Sequence, residues 1–346
     1  MTRHAKRKFR VILLADERLL PRGDIRDLSE KQRELRKTEF DVLEGLKALG
    51  HEVWPIGVYD ELSAIRGAID AHKPHIAFNL VEEFDGIGQF DQHVVSYLEL
   101  RKQPYTGCNP RGLTLSRDKG ITKKLLAYEG LSVPDFAVFP LRRRVKRPPS
   151  LAFPLFVKSL TEEGSAGISN ASIVHDDAKL LERVEFIHRT IKSPAIVEQY
   201  IEGREIYVGV MGNDRPKTLP PWEFSMLDRN SDQPLIASDR AKWDPQYQRQ
   251  LGLKTGPAKL NKKMADKLAS LSTRIYRLLD MSGYARLDYR VTDEGQAYLL
   301  EANPNPQIAR DEDFAESARH IHISYEELLQ RILDVGLRYQ PSRNLV

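Results

Sequence analysis

Apolar residues in the first third of the chain alternate between continuous runs and helical spacing. Runs at residues 9–15, 51–58 and 75–81 are typical of buried strands. The stretch that ends at Gly50 and residues 89–100 show the spacing of amphipathic helices. Strands that alternate with helices favour an α/β unit with a parallel sheet. The unit lacks the G-x-G-x-x-G turn of a dinucleotide site, which disfavours a nicotinamide enzyme.

The pattern changes after about residue 112, where short strand-like runs dominate. Helices are predicted at residues 117–129 and 176–191. Strands are predicted at residues 135–139, 154–160, 168–174, 195–201 and 205–211. This order predicts a compact α+β unit of the kind that can fold over a nucleotide.

The last third combines one long polar stretch with regular elements. Residues 228–256 show little periodicity, and a connection of that length inside a domain is usually a lid or binding loop. A strand at 219–227 precedes it and an amphipathic helix at 261–281 follows it. Ser324 and Glu327 have the spacing of a capping box for a final helix.

Residues 284–303, YARLDYRVTDEGQAYLLEAN, have the pattern of a β-hairpin. Two strand-like runs flank the polar tetrad 292–295, and a short polar turn ending in glycine is a hairpin signal. We take Glu294 and Gly295 as the two central turn residues, which sets the pairing of the two strands.

In that register Asp288 faces Glu301, Arg286 faces Asn303, and all four side chains share one face of the hairpin. Directly opposed carboxylates repel on an ordinary sheet, and a divalent cation would remove that penalty. Oxygen ligands of this kind suit Mg²⁺. The alternative is a solvated hairpin face with an Arg–carboxylate pair. A slip of one residue would turn these side chains to the other face.

Two earlier features suit an anion, and each has a simpler alternative. Lys158 lies in an apolar strand, where a lysine either extends its ammonium group to solvent or meets an anion. The glycines and serine of residues 161–167 let backbone N–H groups approach a phosphate, although any flexible hairpin turn has this composition. The basic run 142–147 indicates an exposed connector rather than a polyanion site. The acidic residues 311–313 indicate either a site for a cationic substrate or a solvated loop.

Composition narrows the class of protein. The 346 residues suffice for two or three compact units, and the net charge of +4 is too small and dispersed to imply a nucleic-acid partner. Cys108 is the single cysteine, which excludes an internal disulfide framework. No apolar run approaches the ~20 residues of a membrane span, and no signal-peptide core is present. These features predict a cytoplasmic protein without a membrane partner.

The order of these segments resembles the ATP-grasp superfamily and, within it, the D-alanine–D-alanine ligase branch. The resemblance covers about residues 77–306 and is most specific in AIVEQYIEGREIYVGV and GYARLDYRVTDEGQAYLLEANPNP. It implies an ATP-grasp fold, of α/β and α+β class, preceded by an N-terminal parallel-sheet domain. The implied domains are residues 1–112, residues 113–203 (the central ATP-grasp subdomain) and residues 204–346 (the C-terminal subdomain with the metal site and lid loop).

The resemblance also implies roles for individual residues in binding ATP. Lys119 and Lys158 resemble the two lysines that hold the α- and β-phosphates. The loop that covers the phosphates corresponds to Glu163, Gly164, Ser165 and Gly167. The hinge that binds adenine corresponds to Glu198, Gln199, Tyr200 and Ile201. The carboxylate that binds ribose corresponds to Glu205.

The catalytic positions follow in the same way. Asp288, Glu301 and Asn303 resemble the ligands of Mg²⁺, with Mn²⁺ as an alternative ion. Arg286 resembles the arginine that steadies the acyl phosphate and the tetrahedral intermediate. Lys242 resembles the lid lysine that reaches the γ-phosphate.

The function that the resemblance implies is ATP-dependent ligation of a carboxylate to an amine, through an acyl phosphate, with release of ADP and phosphate. The expected substrates are small molecules of the amino-acid or peptide type. Members of the family often form dimers, so the resemblance also implies a possible homodimer. Two alternatives remain open. One is another ATP-grasp enzyme, either a carboxylate–thiol ligase or a small-molecule kinase. The other is a nucleotide-binding module without catalysis.

Three departures from the family put D-alanine itself in question. The family has a Gly-Gly-x-Ser-x-Glu turn after the first strand, and the matching residues 16–24 lack the double glycine. Gln307 follows Pro306 where the family has glycine, and the phosphate loop is one residue shorter. The ATP machinery is therefore expected to be retained, while the substrate pocket differs.

Overall fold

The structure is a computed structural model that describes residues 7–20, 23, 28–162, 165–226, 249 and 252–341. The predicted site residues Glu163, Gly164 and Lys242 lie outside the described residues. Within the described ranges, no helix combines the length and the apolar character that crossing a membrane requires.

A three-stranded parallel sheet forms the first unit, as the pattern of apolar runs predicts. Its strand order is β2-β1-β3, and β1 is buried along nearly its whole length because helices cover the sheet. The first helix begins at the capping residue Ser29, so it includes charged residues that the sequence pattern left unplaced. The elements are β1 (Arg10–Asp16), α1 (Glu30–Ala48), β2 (Glu52–Val58), α2 (Ser63–His72), β3 (Ile76–Asn79) and α3 (Asp91–Leu100).

The connection to the second unit is a pair of helices rather than the single helix predicted at 117–129. α4 (Pro110–Arg117) and α5 (Lys119–Tyr128) are separated by Asp118, whose Oδ1 accepts a hydrogen bond from the N–H of Ile121 at 2.8 Å. This cap starts a new helix at Lys119, because a side-chain oxygen replaces the missing backbone acceptor at a helix start.

An antiparallel sheet of order β4-β7-β5-β6 forms the second unit. The predicted strand at 168–174 is wrong over most of its length, because residues 170–172 form a 3₁₀ turn before the short β6. The elements are β4 (Phe136–Phe139), β5 (Leu155–Ser159), β6 (Ile173–Val174), α6 (Asp177–Phe186) and β7 (Ala195–Gln199).

A second antiparallel sheet, of order β11-β10-β8-β12-β13 with β9 beside β8, forms the third unit. Strand β11 lies inside the stretch predicted to be an irregular loop, so that prediction is wrong for its last residues. The elements are β8 (Arg204–Met211), β9 (Lys217–Thr218), β10 (Trp222–Met226), β11 (Leu253–Pro257), α7 (Lys262–Leu278), β12 (Tyr284–Val291), β13 (Ala297–Pro304), α8 (Asp313–His320) and α9 (Tyr325–Arg338).

The first and third units share hydrophobic core. Leu46 of α1 belongs to the same buried cluster as Leu329 and Leu333 of α9. Gly45 permits the close approach of these helices, since a Cβ atom there would lie 2.5 Å from the side chain of Leu329. Each sheet draws its strands from one of the three predicted domains, but the predicted boundaries themselves remain predictions.

Candidate active site

A cleft of about 840 Å³ lies between the two antiparallel sheets. Phe156, Tyr207, Arg290 and Leu300 line it, and the sequence analysis assigned no role to these residues. The structure gathers most of the predicted nucleotide and metal residues around the same space. These are Lys119, Lys158, Ser165, Glu198, Gln199, Tyr200, Ile201, Glu205, Asp288 and Glu301.

The hairpin of β12 and β13 has the predicted register where it matters for the site. Asp288 pairs with Glu301, and Arg286 pairs with Asn303. The predicted two-residue turn is wrong, because Val291 pairs with Ala297 and residues 292–296 form the turn.

A β-bulge accounts for the difference between the two halves of the hairpin. The register shifts between Asp288 and Tyr289, where Leu300 is the extra residue on the opposite strand. A bulge of this kind lets two residues oppose one and re-aims the neighbouring side chains. The turn is longer than predicted, which shifts the register near the turn by one residue. The bulge shifts the register back, so Asp288 still pairs with Glu301 as predicted.

The hairpin face is held by a dense set of polar contacts around Asp288. Arg286 donates from Nε and Nη2 to the two oxygens of Asp288 at 2.8 and 2.9 Å, and Asn303 Nδ2 donates to Oδ2 at 2.9 Å. The ring of Tyr207 lies 4.4 Å from the guanidinium carbon of Arg286. The Arg–carboxylate pair of the alternative interpretation is thus present. The face is not solvated, however, because Asp288 is only 8% exposed and lines the cleft.

Each of the two opposed carboxylates pairs with a cation of the chain. Lys119 Nζ lies 2.9 Å from Oε1 of Glu301, while Arg286 engages Asp288. Burial acts to lower the pKa of Arg286, but the charge of Asp288 outweighs it and holds the pKa well above its usual value. The penalty expected for facing carboxylates is therefore offset by side chains of the fold itself.

The lysines of the cleft are buried and bonded. Lys119 Nζ also donates to the carbonyl of Glu162 at 2.7 Å, and Lys158 Nζ lies 3.2 Å from Oε1 of Glu198. Burial acts to lower the pKa of Lys158, but the charges of Glu198 and Glu301 outweigh it and the pKa is raised. Lys158 is 6% exposed, so it does not extend to solvent; it stays charged inside the cleft.

Lys123 is a contributor to the site that the sequence analysis left without a role. Its Nζ donates to the carbonyls of Leu299 and Leu300 at 3.3 and 3.1 Å and lies 3.4 Å from Oε1 of Glu198. Burial lowers its pKa to about 8, although Glu198 opposes the shift. Lys123 therefore ties α5 to the bulged strand. Its spacing of four residues from Lys119 places both on one helix face, which was the available signal.

Glu205, the predicted ribose carboxylate, is engaged by protein donors. Its oxygens accept from the hydroxyl of Tyr207 at 2.8 Å and from Nη2 of Arg290 at 2.9 Å. Both donors line the cleft beside it. A ligand hydroxyl at Glu205 would therefore share the carboxylate with these two residues.

The described end of the predicted phosphate loop is held in a left-handed backbone conformation. Ser165 has φ 67° and lines the cleft, whereas Gly167, at φ 71°, lies outside the lining. The carbonyl of Gly167 accepts a hydrogen bond from Arg183, which also donates to Ser172 Oγ at 3.0 Å. Arg183 thus anchors the loop to α6.

The balance of charge in the cleft tests whether a metal–nucleotide complex fits. The described lining holds the cations Lys119, Lys158 and Arg290. It also holds the carboxylates Glu162, Glu198, Glu205, Asp288 and Glu301. Arg286 and Lys123 contact two of these carboxylates, Asp288 and Glu198. A triphosphate would add further negative charge, which a divalent cation would offset.

The donor set at the hairpin limits how such a cation is held. No group of three His, Cys, Asp or Glu side chains able to hold a metal occurs in the part of the chain that the structure describes. An ion at Asp288 and Glu301 would therefore also draw on the amide of Asn303 and on ligand oxygens. This donor set fits Mg²⁺, which commonly uses one or two carboxylates and completes its shell with phosphate oxygens and water.

Two charged segments, residues 311–313 and 142–147, lie outside the lining of the cleft. Lys37 Nζ lies 2.5 Å from Glu312 and 3.7 Å from Asp311, so the fold itself supplies a cation to this acidic segment. The basic run 142–147 is irregular and largely exposed, as expected for a connector.

Comparisons with known proteins agree with this architecture. The family model for the D-Ala–D-Ala ligase C-terminus matches residues 125–334. A D-alanine–D-alanine ligase of Nitratidesulfovibrio vulgaris (strain DP4) is 30% identical over 295 residues, which are 84% of this chain and 89% of that protein. The protein y4sG of Sinorhizobium fredii is 34% identical over 269 residues, 78% of this chain and 76% of its own.

The structural comparison covers nearly the whole chain. The D-alanine–D-alanine ligase from Bacillus anthracis, solved in complex with ATP, superposes with a TM-score of 0.74 at 25% identity. The superposition covers 96% of this chain and 98% of that one. The fold is therefore the ATP-grasp fold. Since the family model spans more than half of the chain, the chain belongs to the D-alanine–D-alanine ligase family of ATP-grasp enzymes, which are ATP-dependent carboxylate–amine ligases.

Proposed function

We propose that the chain uses ATP and Mg²⁺ to join the carboxylate of one amino-acid-like substrate to the amine of another, with Asp288, Glu301 and Asn303 as metal ligands. The observation that carries the proposal is the placement of the hairpin acids and of Lys119 and Lys158 around one cleft between two antiparallel sheets. The alternative of a kinase or thiol ligase would use the same cleft, so the reaction product decides between them.

The chemistry requires that a poor acyl donor be converted into a good one. Transfer of the γ-phosphoryl group of ATP to a carboxylate gives an acyl phosphate, from which an amine displaces phosphate. The phosphoryl step needs positioning and charge neutralisation more than it needs a protein nucleophile. When bound, Mg²⁺ supplies Lewis-acid neutralisation of the phosphate oxygens.

The lysines contribute the remaining positive charge. Lys119 and Lys158 are fixed by Glu301 and Glu198 before a nucleotide arrives, so they need little reorganisation to receive phosphate oxygens. Burial strengthens their effect, because charges act more strongly where water is excluded. Their ion pairs support roles in holding the α- and β-phosphates.

Arg286 is held in a way that suits a stabiliser of developing negative charge. Asp288 fixes its guanidinium by two hydrogen bonds, and the ring of Tyr207 supports it from one side. A guanidinium that keeps its orientation can meet the oxygens of a transferred phosphoryl group or of a tetrahedral intermediate. These contacts support the catalytic role proposed for Arg286.

Glu198 is suited to contact the adenine base of ATP rather than its phosphates. It is 2% exposed, and within the described residues its Oε1 accepts no well-directed hydrogen bond, although Lys158 and Lys123 lie 3.2 and 3.4 Å away. A buried acceptor with spare capacity can take a hydrogen bond from the exocyclic amine of adenine. With Gln199, Tyr200 and Ile201 beside it, Glu198 is proposed to recognise the adenine ring.

The deciding experiment is a coupled ADP-release screen over amino-acid and dipeptide pairs, with mass spectrometry of the products. The first pair is D-alanine with itself, because a relative carries that activity in its name. A ligase releases ADP only when both substrates are present and yields an amide. ADP release without an amine would identify a kinase. Absence of release with every pair would contradict the ligase proposal.

A further inference from the structure

An arginine lies in the apolar face of α6, behind the described end of the predicted phosphate loop. The buried residues of this helix are Leu180, Arg183 and Val184, and Ile187 continues the same face one turn later. This spacing is that of a core-facing stripe, where an apolar side chain is expected. Arg183 is only 8% exposed, so its guanidinium group lies inside the second unit rather than on the surface.

The charge of Arg183 is not balanced by an acid among the described residues. Burial lowers its pKa and no described carboxylate offsets the shift, although a guanidinium group stays charged in proteins. Its Nε donates no hydrogen bond to a described residue, and the ring of Phe186 lies 4.4 Å from its guanidinium carbon. A buried cation without an acid costs free energy, so packing alone does not explain an arginine at this position.

Arg183 contacts the loop at a residue that faces away from the cleft. Ser165, Ala166 and Ile168 line the cleft, whereas Gly167 does not. The carbonyl of Gly167 accepts a hydrogen bond from Nη2 of Arg183, and the N–H of Ile168 donates to the carbonyl of Ser165 at 2.8 Å. Residues 165–168 therefore form a single layer of backbone, with the cleft on one side and Arg183 on the other.

The same nitrogen also holds the segment that follows the loop. Nη2 of Arg183 donates to Ser172 Oγ at 3.0 Å. That oxygen also accepts a hydrogen bond from the N–H of Ser169 at 3.1 Å, which caps the 3₁₀ turn Asn170–Ser172. One side chain of α6 thus fixes the backbone at Gly167 and the turn at Ser172, so a shift of residues 165–168 would break these contacts.

The cleft side of this layer is where the phosphates of the proposed nucleotide would lie. Lys119 and Lys158 line the same cleft as Ser165. A polyphosphate there would bring the negative charge that the described surroundings of Arg183 lack. Its attraction to Arg183 would be screened less than in water, because protein lies between them.

We propose that Arg183 is a positioning residue for the phosphates of ATP, which holds residues 165–168 in the conformation that lines the cleft. The inference rests on the proposed binding of ATP and not on which product the chain forms. Loss of Arg183 is therefore expected to weaken binding of the triphosphate and to spare binding of the nucleoside, because Glu198 and Gln199, proposed to bind adenine, belong to β7.

The test is calorimetric titration of the full chain with Mg²⁺–AMP-PNP and, separately, with adenosine. Arg183→Met should weaken AMP-PNP binding about 10- to 100-fold, as loss of a hydrogen bond to a charged group does, and should change adenosine binding less than about 2-fold. Arg189→Met is the matched control, because Arg189 lies just after α6, is exposed and pairs with Glu185. It should bind both ligands as the wild type does.

Arg183→Lys separates position from charge. Lysine keeps the positive charge but lacks the planar fork of arginine, so this variant should bind AMP-PNP nearly as weakly as Arg183→Met. Wild-type affinity in Arg183→Lys would show that charge alone acts, and would overturn the positioning role.

Gly167→Ala disturbs the same contact from the side of the loop. The backbone of Gly167 has φ 71°, and a Cβ there would lie 3.0 Å from Cδ1 of Ile191. This variant leaves α6 unchanged in sequence and decides the test if the Arg183 variants do not fold. It should weaken AMP-PNP binding at least about 10-fold and spare adenosine binding.

Unchanged AMP-PNP binding by Arg183→Met or by Gly167→Ala would overturn the inference. An equal loss of adenosine and AMP-PNP binding would do so too, because general damage to the second unit would then explain the result. If the variants lose AMP-PNP binding as expected while no substrate pair yields an amide with wild-type protein, the ligase proposal alone is contradicted.

Discussion

The two clefts beside the hairpin treat charge in opposite ways. In the nucleotide cleft, Lys119 pairs with Glu301 and Lys158 lies against Glu198. In a second cleft of about 300 Å³, lined by residues of α1, the end of β3 and the segment 305–307, Glu39 is buried and its Oε2 accepts no hydrogen bond from a described residue. A cleft for a ligand that arrives with its own counter-ion can keep its charges paired between turnovers. A buried acid without a cationic partner keeps its proton instead, because burial raises the pKa of Glu39 to about 8.

The largest expected effect lies in the nucleotide cleft. Glu301→Ala removes a proposed metal ligand and the partner of Lys119, and should lower kcat for ADP release about 100- to 1000-fold, as loss of one preorganised electrostatic contact does. Glu294→Ala, in the exposed turn of the same hairpin, is the matched control and should retain full turnover. Near-normal ADP release by the Glu301 variant would contradict the metal assignment.

A smaller effect is expected where the two strands of the hairpin change register. Lys123→Met should leave the carbonyls of Leu299 and Leu300 without their donor and lower the free energy of unfolding by about 2 kcal/mol, measured by urea denaturation. The exposed neighbour Lys124→Met should change it little. Equal stability of the two variants would show that the bulge does not depend on Lys123.

A further effect of comparable size concerns the pH dependence of stability and the buried acid Glu39. The folded chain raises the pKa of Glu39 from 4.5 to about 8, so it keeps a proton that the unfolded chain releases. The contribution of Glu39 to stability is therefore full below about pH 4.5 and declines as the pH rises to about 8.

Glu39→Gln removes this dependence. Relative to wild type, it should gain about 1–3 kcal/mol of unfolding free energy between pH 5 and pH 8.5, measured in urea at both values. Glu44→Gln, at an exposed position of the same helix, is the matched control and should show no such trend. A constant difference between variant and wild type across this range would mean that Glu39 is ionised throughout, and the contrast between the clefts would weaken.

Periodicity predicted the hairpin part of the proposed nucleotide cleft, whereas the other residues around the cleft were assigned by resemblance to the family. Alternation along β12 and β13 places Arg286, Asp288, Glu301 and Asn303 on one face without knowledge of the rest of the fold. Continuous apolar runs predicted the strands of the first sheet, but β11 and most of the region around β6 were not predicted correctly. What alternation could not supply was the bulge, since nothing local in the sequence distinguishes Leu300 as the extra residue.

The smaller cleft was missed because tertiary contacts create it. Glu39 stands in a charged stretch, KTEF, where the apolar spacing that predicts the helix begins only at Phe40. It lines a cleft together with residues 305–307, which are distant in sequence and come near it only in the folded chain. Lys123 escaped assignment for a similar reason, because its acceptors are backbone carbonyls of another unit.

The bulge at Leu300 has a consequence for how this hairpin can vary. The extra residue, Leu300, lies in the middle of β13, and its carbonyl accepts a hydrogen bond from Lys123. The register of the half that carries Asp288 and Glu301 is therefore separated from the register at the turn. Insertions or deletions around residues 292–296 are then expected to leave the pairing of Asp288 with Glu301 unchanged. The alignment of Asp288 with Glu301 is thus set in the middle of the strands rather than at the turn.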